Sequence, residues 1–460
     1  MIPTISAEAP RPDATPTGPA GSAAESSSRA RVLTLSTTGF TLMFAVWLMF
    51  GVLGIPIREE FGLTDVQLSW LTATAILNGA LWRLPAGMLA DRFGGRRVFI
   101  AMLVATAVPT FLVSQAPSFG ALLVFAFFAG FAGNAFSVGI AWNSAWFPRE
   151  RQGFALGVFG AGNVGASVTK LIGPWLIVAV PSLTILGMTF DGWRFVPMLY
   201  SLLLLLMAGA MWLFTPHHDR KPGKGRSIRS MLAPLRTLRV WRFSMYYVVV
   251  FGAYVALAAW LPKYYVDVFD VPLHEAALLT ALFIFPASLL RPVGGLLSDR
   301  FGARRVMYGT FTTMILATGV LMMPYGYIVL RVPEQYEPSG VREVLPYELD
   351  VWAFTALVFV VGVAMGVGKA AVYKHIPEYF PGDVGAVGGL VGTLGALGGF
   401  FLPPMFAYLQ SWTGMPQSTF FLLFVLTVVS AVWMHLTVHR MLHQHSPELQ
   451  DRLEEPERAT

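Results

Sequence analysis

Long apolar stretches fill most of this 460-residue chain, and only 13% of its residues are charged. A soluble domain carries about 25% charged residues, so the composition indicates a membrane protein. Stretches of about 20 apolar residues satisfy their backbone polar groups in a bilayer by forming helices. We therefore expect an all-α membrane protein with twelve spans. They are predicted at 36–57, 69–90, 97–116, 119–147, 152–180, 194–215, 242–266, 275–298, 305–325, 351–377, 383–410 and 416–440.

A charged motif occurs twice, at positions that differ by 208 residues. Arg83 lies in an apolar run that precedes residues 91–97, and Arg291 and residues 299–305 repeat this order. Such a repeat predicts two pseudo-symmetric six-helix bundles, as in secondary transporters. The predicted domains are a disordered cytoplasmic tail (1–35), an N-terminal bundle (36–215), a basic cytoplasmic linker that is partly an interfacial helix (216–241), a C-terminal bundle (242–440) and a cytoplasmic tail (441–460).

The basic residues predict the orientation in the membrane. Five of the 32 Lys and Arg fall in links on one side, five fall within spans, and the remaining 22 belong to the termini and to links on the other side. Positive charge marks the cytoplasmic side, so both termini are expected there. The acidic link 331–350 then faces outward.

The two arginines within apolar runs, Arg83 and Arg291, predict the functional site. A cation in the bilayer interior costs about 3 kcal/mol or more, so it is retained mainly for function. All 26 acidic residues fall in tails, links or span edges, which leaves these cations without a carboxylate counter-ion inside the membrane. An anionic substrate would neutralise the pair. The alternative is that helix carbonyls and hydroxyls hold each arginine for packing alone.

The planar guanidinium indicates which anions suit such a site. Its fixed fork of donors matches planar or tetrahedral oxyanions in bidentate fashion, whereas a lysine offers a point charge. A small, oxygen-rich anion is therefore favoured. Pro85 and Pro292 follow the two arginines and predict bends or free carbonyls there.

The segment that follows Arg83 reads Gly87-Met-Leu-Ala-Asp-Arg-Phe-Gly-Gly-Arg-Arg97. It resembles the loop signature of the major facilitator superfamily, and it occurs in both of the expected places. In that superfamily these charges form helix-end and interdomain contacts that hold one conformation. The resemblance therefore implies gating residues rather than substrate ligands, namely Asp91, Arg92, Arg96, Arg97, Asp299, Arg300, Arg304 and Arg305.

Glycine-rich stretches in the fifth and eleventh spans complete a narrower resemblance, which covers essentially all of 36–440. Together with the paired arginines they resemble the nitrate/nitrite porter family of this superfamily. In that family the arginines clamp the anion, and an asparagine, an aromatic pair and signature glycines complete the site. The substrate-binding residues implied here are Arg83, Arg291, Asn163, Tyr247, Phe251, Gly162 and Gly398.

Lys369 stands where some family members have a neutral asparagine, which resembles the branch associated with proton-linked nitrate uptake. An inside-negative potential opposes anion entry by about 2.3 kcal/mol per charge per 100 mV, so import needs more than one proton per anion or an exchanged anion. Without a carboxylate, a desolvated amine is the candidate proton carrier. We expect Lys369, together with His375, to couple protons to transport. The alternative is that Lys369 reaches the cytoplasmic edge.

The sequence predicts a secondary active transporter that imports nitrate, with protons, across the cytoplasmic (inner) membrane by alternating access. Three alternatives stay open: a nitrate/nitrite antiporter, a carrier of another small oxyanion, and a non-transporting anion sensor. With no Cys, no midplane carboxylate pair and no His cluster with ligand spacing, we expect no enzyme, metal or cofactor. The expected partners are nitrate or nitrite, protons and the lipid bilayer, without nucleic acid, and the chain is expected to be a monomer.

Overall fold

The computed structural model describes residues 19–445, except 181, 186, 191, 221–227, 332, 334, 337, 340 and 381–383. The chain is built almost entirely of helices. They are α1 (Pro19–Trp47), α2 (Phe50–Phe61), α3 (Asp65–Leu81), α4 (Arg83–Phe93), α5 (Gly95–Ser114), α6 (Phe119–Ala129), α7 (Ala135–Trp146), α8 (Arg149–Ala161), α9 (Gly165–Ala179), α10 (Phe195–Phe214), α11 (Ile228–Leu232), α12 (Leu238–Tyr247), α13 (Ala253–Phe269), α14 (Leu273–Leu289), α15 (Arg291–Phe301), α16 (Ala303–Leu321), α17 (Val351–Tyr379), α18 (Val384–Thr413) and α19 (Ser418–His445).

Nine helical segments among the described residues are long and apolar enough to cross a membrane. A tenth is the pair α14 and α15, which is bent by 42° at its break. These segments confirm an all-α membrane protein. The count of twelve stays a prediction, because Asp65–Phe93 and Ala303–Leu321 do not meet the same criteria of length and composition.

The helices break directly before each of the two predicted arginines. Trp82 separates α3 from α4, and Leu290 separates α14 from α15. Proline lacks the N–H that would bond to the carbonyl four residues earlier, and its ring crowds that carbonyl. Pro85 and Pro292 therefore explain both breaks. Arg83 and Arg291 are thus each the first residue of a new helix.

Three further spans are interrupted by short turns of other helix types. One-turn 3-10 helices at Gly130–Asn134 and Gly162–Val164 join α6 to α7 and α8 to α9. A π-helical turn at Val248–Gly252 joins α12 to α13. Local departures from α-helical geometry often lie at functional sites, because they redirect side chains. Here they place Asn163, Tyr247 and Phe251 at or beside an interruption.

The two bundles meet along matched pairs of helices. In this interface α3 packs on α18, α9 on α14 and α2 on α13. At the end that carries the turns 62–64 and 270–272, here called the far end, four charges join the bundles. Arg58 pairs with Asp65 (3.0 Å) and Asp267 (3.4 Å), and Lys263 pairs with Asp65 (3.1 Å) and Asp267 (2.5 Å). This four-charge ring joins the two bundles at the far end.

The predicted disordered tail, 1–35, is wrong for residues 19–35, which form the beginning of α1. Residues 1–18 lie outside the described part of the chain. Arg29 Nη2 pairs with Glu25 at 2.7 Å, and Arg29 Nε donates to the Trp146 carbonyl at 3.1 Å. The Ala- and Ser-rich composition resembled a disordered tail, but this stretch is continuous with the first span, so its helix extends one that is already formed.

The links contain structure that the sequence did not predict. Strands β1 (Leu183–Ile185) and β2 (Met188–Phe190) form a hairpin, and β3 (Gly326–Arg331) and β4 (Val341–Tyr347) form a second within the link between α16 and α17. In the basic linker, α11 and a 3-10 turn precede α12, which begins at residue 238. Helix in the linker is therefore present, its position at the membrane interface stays a prediction, and 221–227 lie outside the described residues.

Candidate functional site

Arg83 lies at the centre of the interface between the bundles. Its side chain is only 2% exposed. Arg83 Nε donates to the Gly79 carbonyl at 2.9 Å, and Nη1 donates to the Gly392 carbonyl of the other bundle at 3.3 Å. Nη2 is buried and has no hydrogen-bond partner among the described residues. The guanidinium is thus held on one edge and has a free donor on the other.

Aromatic rings surround this guanidinium. Its Cζ lies 5.3 Å from the centroids of Trp47 and Phe251, and 5.7 Å from that of Phe136. The negative face of an aromatic ring attracts a cation, most strongly where water is excluded. The rings hold Arg83 in place and leave its positive charge available to an anion.

Arg291 approaches the same place from the C-terminal bundle. Its Cζ lies 5.3 Å from the centroids of both Phe136 and Tyr373. Arg291 is half-buried, and its Nη1 is buried without a hydrogen-bond partner in the described chain. The structure therefore brings the two predicted arginines together on Phe136. An unpaired buried donor costs about 1–3 kcal/mol, so both free N–H groups favour an acceptor between them.

The predicted aromatic pair forms one wall of the site. Tyr247 and Phe251 stack with centroids 5.0 Å apart and planes 12° apart, and Tyr247 also meets Tyr373 edge-on at 5.1 Å. One helical turn before Gly398, Gly395 lies where a Cβ would overlap the Tyr247 ring. Gly398 itself packs against the π-helical turn, where a Cβ would come 2.8 Å from Val248. These glycines bring α18 close to Tyr247 and to the π-helical turn that follows it.

Asn163 and Gly162 lie in the 3-10 turn between α8 and α9. Asn163 is 1% exposed, its carbonyl accepts from the Tyr254 hydroxyl at 3.4 Å, and its Nδ2 has no partner among the described residues. Gly162 packs against Phe40, with a Cβ position 2.6 Å from the ring. Asn163 keeps a free donor, as an anion ligand requires, whereas Gly162 serves close packing.

Lys369 is buried beside the arginines. It is 0% exposed, so it does not reach the cytoplasmic edge. Its Nζ donates to the Ala287 carbonyl at 2.9 Å and lies 3.2 Å from the Tyr254 centroid and 5.7 Å from that of Phe251. Phe251 thus contacts both this ammonium and Arg83. The third cation of the site belongs to the C-terminal bundle.

His375 lies six residues further along α17, about 9 Å along the helix axis. It is 6% exposed, packs on Phe243 at 5.4 Å, and its Nδ1 has no partner in the described residues. It therefore lies between the site and the end that carries residues 91–97 and 299–305, here called the motif end. The structure shows no direct contact between His375 and the arginines.

Three of the predicted gating residues make contacts with their own bundle or with the linker. Arg96 Nε donates to Thr215 at 2.8 Å, and its backbone N–H donates to Asp219 at 2.8 Å. In the other bundle Asp299 pairs with Lys374 at 2.5 Å. The remaining predicted gating residues are Asp91, which is half-buried, Arg304, which donates to the Tyr379 hydroxyl at 3.3 Å, and the exposed Arg92, Arg97, Arg300 and Arg305. Their role in gating stays a prediction.

Three aromatic residues of the site were missed from the sequence: Trp47, Phe136 and Tyr373. A Cβ at Gly79 or Gly133 would overlap the Trp47 indole, so these two glycines exist to admit it. Glycines within apolar runs indicate that a large side chain packs nearby, but they do not identify that side chain. Among the described residues, no group of three or more His, Asp or Glu could hold a metal.

The family model described as Major Facilitator Superfamily matches residues 35–332 and 269–456. The chain belongs to the major facilitator superfamily. This superfamily fold also occurs in a bacterial homologue of the human lysosomal transporter Spinster, solved in an inward-facing and occupied conformation. The two structures align with a TM-score of 0.65 at 19% identity, over 90% of this chain and 97% of that one. A mutant of the nucleoside transporter NupG matches with a TM-score of 0.65 at 13% identity, over 89% of this chain and 99% of that one.

Superfamily members named for nitrate or nitrite are similar along nearly the whole chain. The probable nitrate/nitrite antiporter NarK1 of Thermus thermophilus is 68% identical over 431 residues, which cover 94% of this chain and 96% of that protein. The nitrite extrusion protein of Bacillus subtilis is 30% identical over 407 residues, with 88% and 94% covered. These relatives confirm the family resemblance drawn from the sequence.

Proposed function

We propose that this chain transports nitrate across the cytoplasmic membrane by alternating access, coupled to protons, and that it accepts nitrite at the same site. The observation that most strongly supports this proposal is the pair of guanidiniums on Phe136. Each has a buried N–H that lacks a partner in the described residues. The relatives named for nitrate and nitrite support the identity of the anion.

The walls of the site suit a small planar anion. Arg83 Nη2 and Arg291 Nη1 can donate to two oxygens of one oxyanion, and charge-assisted bonds of this kind are about twice as strong as neutral ones. The rings of Phe136 and Tyr373 line the space beside Arg291. A planar anion can stack between rings and keep its oxygens in the plane of the donors.

Alternating access follows from the two ends of the interface. The four-charge ring joins the bundles at the far end, while Arg291 remains half-exposed at the site. Rocking of 36–215 against 242–440 would open one end as it closes the other. An empty site keeps its like charges together, so bound anion lowers the free energy of the closed intermediate.

Coupling to protons is assigned to Lys369, with His375 as a second group. An amine buried beside a guanidinium changes its interaction with that guanidinium whenever it gains or loses a proton. Because nitrate entry works against the membrane potential, import requires such a linked cation flow. His375 lies between Lys369 and the motif end, where a released proton would leave.

Exchange of nitrate for nitrite is the second candidate, and the similarity to the probable nitrate/nitrite antiporter of Thermus thermophilus favours it. An exchanger needs no proton, since the departing anion balances the entering one. Purified protein in liposomes separates the two candidates. Proton-coupled import predicts nitrate accumulation driven by an acidic exterior without internal anion, whereas exchange predicts uptake only when nitrite is loaded inside.

The same preparation tests the substrate and the topology. Labelled nitrate uptake should be blocked by excess nitrate and nitrite, and block by sulfate alone would point to another oxyanion. A chain that binds nitrate and moves none would be a sensor. The chain has no cysteine, so single cysteines placed at residue 217 and at residue 336 report which link faces the cytoplasm.

A further inference from the structure

The first span of the N-terminal bundle is broken where α1 ends at Trp47 and α2 begins at Phe50. At the break the backbone bonds shorten by one residue. The N–H of Met49 donates to the Val46 carbonyl at 3.3 Å, and that of Val52 donates to the Met49 carbonyl at 3.0 Å. In a continuous helix these N–H groups would bond to the Ala45 and Leu48 carbonyls, so both carbonyls lose that partner. The Leu48 carbonyl keeps only a bond from the Gly51 N–H, three residues on, at 3.3 Å.

Two consecutive residues of α9 supply replacements. Thr169 Oγ1 lies 3.2 Å from the Ala45 carbonyl, and Lys170 Nζ donates to the Leu48 carbonyl at 3.2 Å. Both side chains are 0% exposed. Buried carbonyls are nearly always hydrogen-bonded, so this pair of donors lets the break exist inside the bundle.

The positive charge of Lys170 fits this position. Carbonyls at the end of a helix carry partial negative charge, and a cation there is stabilising, more so where water is excluded. Among the described residues the structure shows no ion pair to Lys170. The partial negative charge at the end of α1 is therefore what offsets the charge of its ammonium. This explains a buried ammonium that contacts neither arginine of the anion site.

The break also fixes Trp47, the last residue of α1. Its indole Nε1 donates to the Ala75 carbonyl at 3.2 Å, and its ring lies 5.3 Å from Arg83 Cζ. A Cβ at Gly79 or Gly133 would overlap this indole. Trp47 therefore has a single well-fitting position, and a change in direction at the break would displace it from Arg83.

We propose that Lys170 is a positioning residue of the anion site: it caps the broken first span and thereby holds Trp47 against Arg83. It does not touch the anion. The proposal rests on the function proposed above only in that the site takes nitrate. The contact chain from Lys170 through Leu48 and Trp47 to Arg83 stands on the structure alone.

Lys170→Met, which keeps an unbranched side chain only one atom shorter but loses its donor and its charge, tests the cap. In liposomes we expect the KM for nitrate to rise about tenfold, the change that about 1.4 kcal/mol produces, with the maximal rate within about twofold of wild type. Lys170→Gln, which keeps a donor, should fall between. Ser201→Ala removes a comparable bond, from Ser201 to the Ala107 carbonyl in α5, and should leave KM unchanged.

Hydrogen exchange gives a readout that needs no substrate. In Lys170→Met the amides of residues 48–53 should exchange about tenfold faster than in wild type, and those of Ser201→Ala should not change there. If Lys170→Met does not fold, Thr169→Val replaces it as the test. This milder change at the same break should also speed exchange at residues 48–53, but to a smaller extent. Wild type that transports no nitrate would overturn the proposed function and leave this exchange test intact.

Three results would overturn the cap. Unchanged exchange at 48–53 in Lys170→Met would show that the ammonium does not hold the break. An unchanged KM together with faster exchange would show that the break does not position Arg83. Equal loss of pH-driven accumulation in Lys170→Met and Lys170→Gln, at unchanged KM, would assign Lys170 to proton coupling instead.

Discussion

Arg83 and Arg291 occupy matched positions in the two bundles, yet their surroundings differ. Each begins a helix after a break that a nearby proline explains. Arg83 is buried and bonded to two carbonyls, one of them from the opposite bundle. Arg291 is half-buried, and the described residues offer its Nη1 no partner. The repeat thus provides two guanidiniums, of which Arg83 is fixed by bonds to both bundles and Arg291 is the more exposed.

The difference extends to the neighbouring cation. Lys369 lies beside the site in the C-terminal bundle, and Lys170 caps the first span in the N-terminal bundle. The bundle with the half-exposed arginine therefore also carries the candidate proton carrier. We infer that the N-terminal bundle holds the anion in register while the C-terminal bundle responds to protons.

The largest effect is expected from replacing either guanidinium. Arg83→Lys and Arg291→Lys should each lower nitrate uptake at least about 100-fold, because an ammonium cannot form the bidentate bonds of the fork and each charge-assisted bond contributes about 1.5–3 kcal/mol. Arg342→Lys, at an exposed residue of β4, is the matched control and should transport normally. Uptake like wild type in either site variant would remove the clamp.

The next effect concerns the lysine that only the C-terminal bundle contributes to the site. Lys369→Gln should abolish nitrate accumulation driven by an acidic exterior, since the amide cannot carry a proton, but it should retain counterflow between equal nitrate pools. The measurement is uptake in liposomes with and without a pH gradient. If accumulation survives and nothing else is lost, Lys369 does not couple protons.

The four-charge ring predicts an effect of intermediate size. Asp267→Asn removes the acid that Arg58 reaches across the interface and leaves Lys263 with Asp65 alone. A partly exposed ion pair contributes about 1 kcal/mol or less, so the far end should open several-fold more often. A single cysteine at residue 259, which meets Gly51 of the other bundle, should then react faster with a thiol reagent.

Asp270→Asn serves as the control for the ring. Asp270 lies three residues beyond Asp267, outside the ring, in a left-handed conformation (φ 52°) that asparagine tolerates. The cysteine at residue 259 should react in this variant as it does in wild type. Equal acceleration by Asp267→Asn and Asp270→Asn would mean that loss of acidic charge in general, and not the ring, controls the far end.

The smallest expected effect is a change in Tm that differs between Asp91 and Asp299, the matched aspartates of the motif end. Burial raises the pKa of Asp91, which lies in the link after the second predicted span. Its carboxylate therefore disfavours the folded state above the unfolded pKa, near 3.9, and that disadvantage vanishes in acid. Asp91→Asn should raise Tm slightly at pH 7, by about 2 °C or less, and not at pH 3. An equal gain at both values would exclude the buried charge as the cause.

Asp299, the counterpart of Asp91 in the C-terminal bundle, is expected to change Tm in the opposite direction. Asp299 is exposed and pairs with Lys374 at 2.5 Å, so Asp299→Asn should lower Tm by a similarly small amount at pH 7. Thermal unfolding of the two variants in one detergent measures both. A gain of stability in Asp299→Asn would show that the two motif aspartates do not differ as the structure indicates.

The sequence was sufficient for the arginine pair because unneutralised charge in an apolar run is rare, and here it recurs 208 residues later. The breaks before Arg83 and Arg291 could be anticipated from the prolines. The break after Trp47 could not, since no proline or glycine precedes it within the turn. Its donors, Thr169 and Lys170, lie far along the chain, and only the folded bundle brings them to it.

The aromatic walls were predicted only in part. The resemblance to a known family indicated Tyr247 and Phe251, but Trp47, Phe136 and Tyr373 belong to a chain with 35 Phe, 14 Tyr and 13 Trp. Apolar periodicity does not distinguish a ring that faces lipid from one that faces a cavity. The prediction of a disordered tail failed at residues 19–35 for a related reason. Composition alone does not show that a segment continues a neighbouring helix.

Equilibrium binding of nitrate to the purified protein tests the central claim most directly. Wild type should show one saturable site per chain that nitrite displaces, and Arg83→Lys and Arg291→Lys should each lose it. A wild-type protein that binds no nitrate, or lysine variants that bind it with unchanged affinity, would contradict the account.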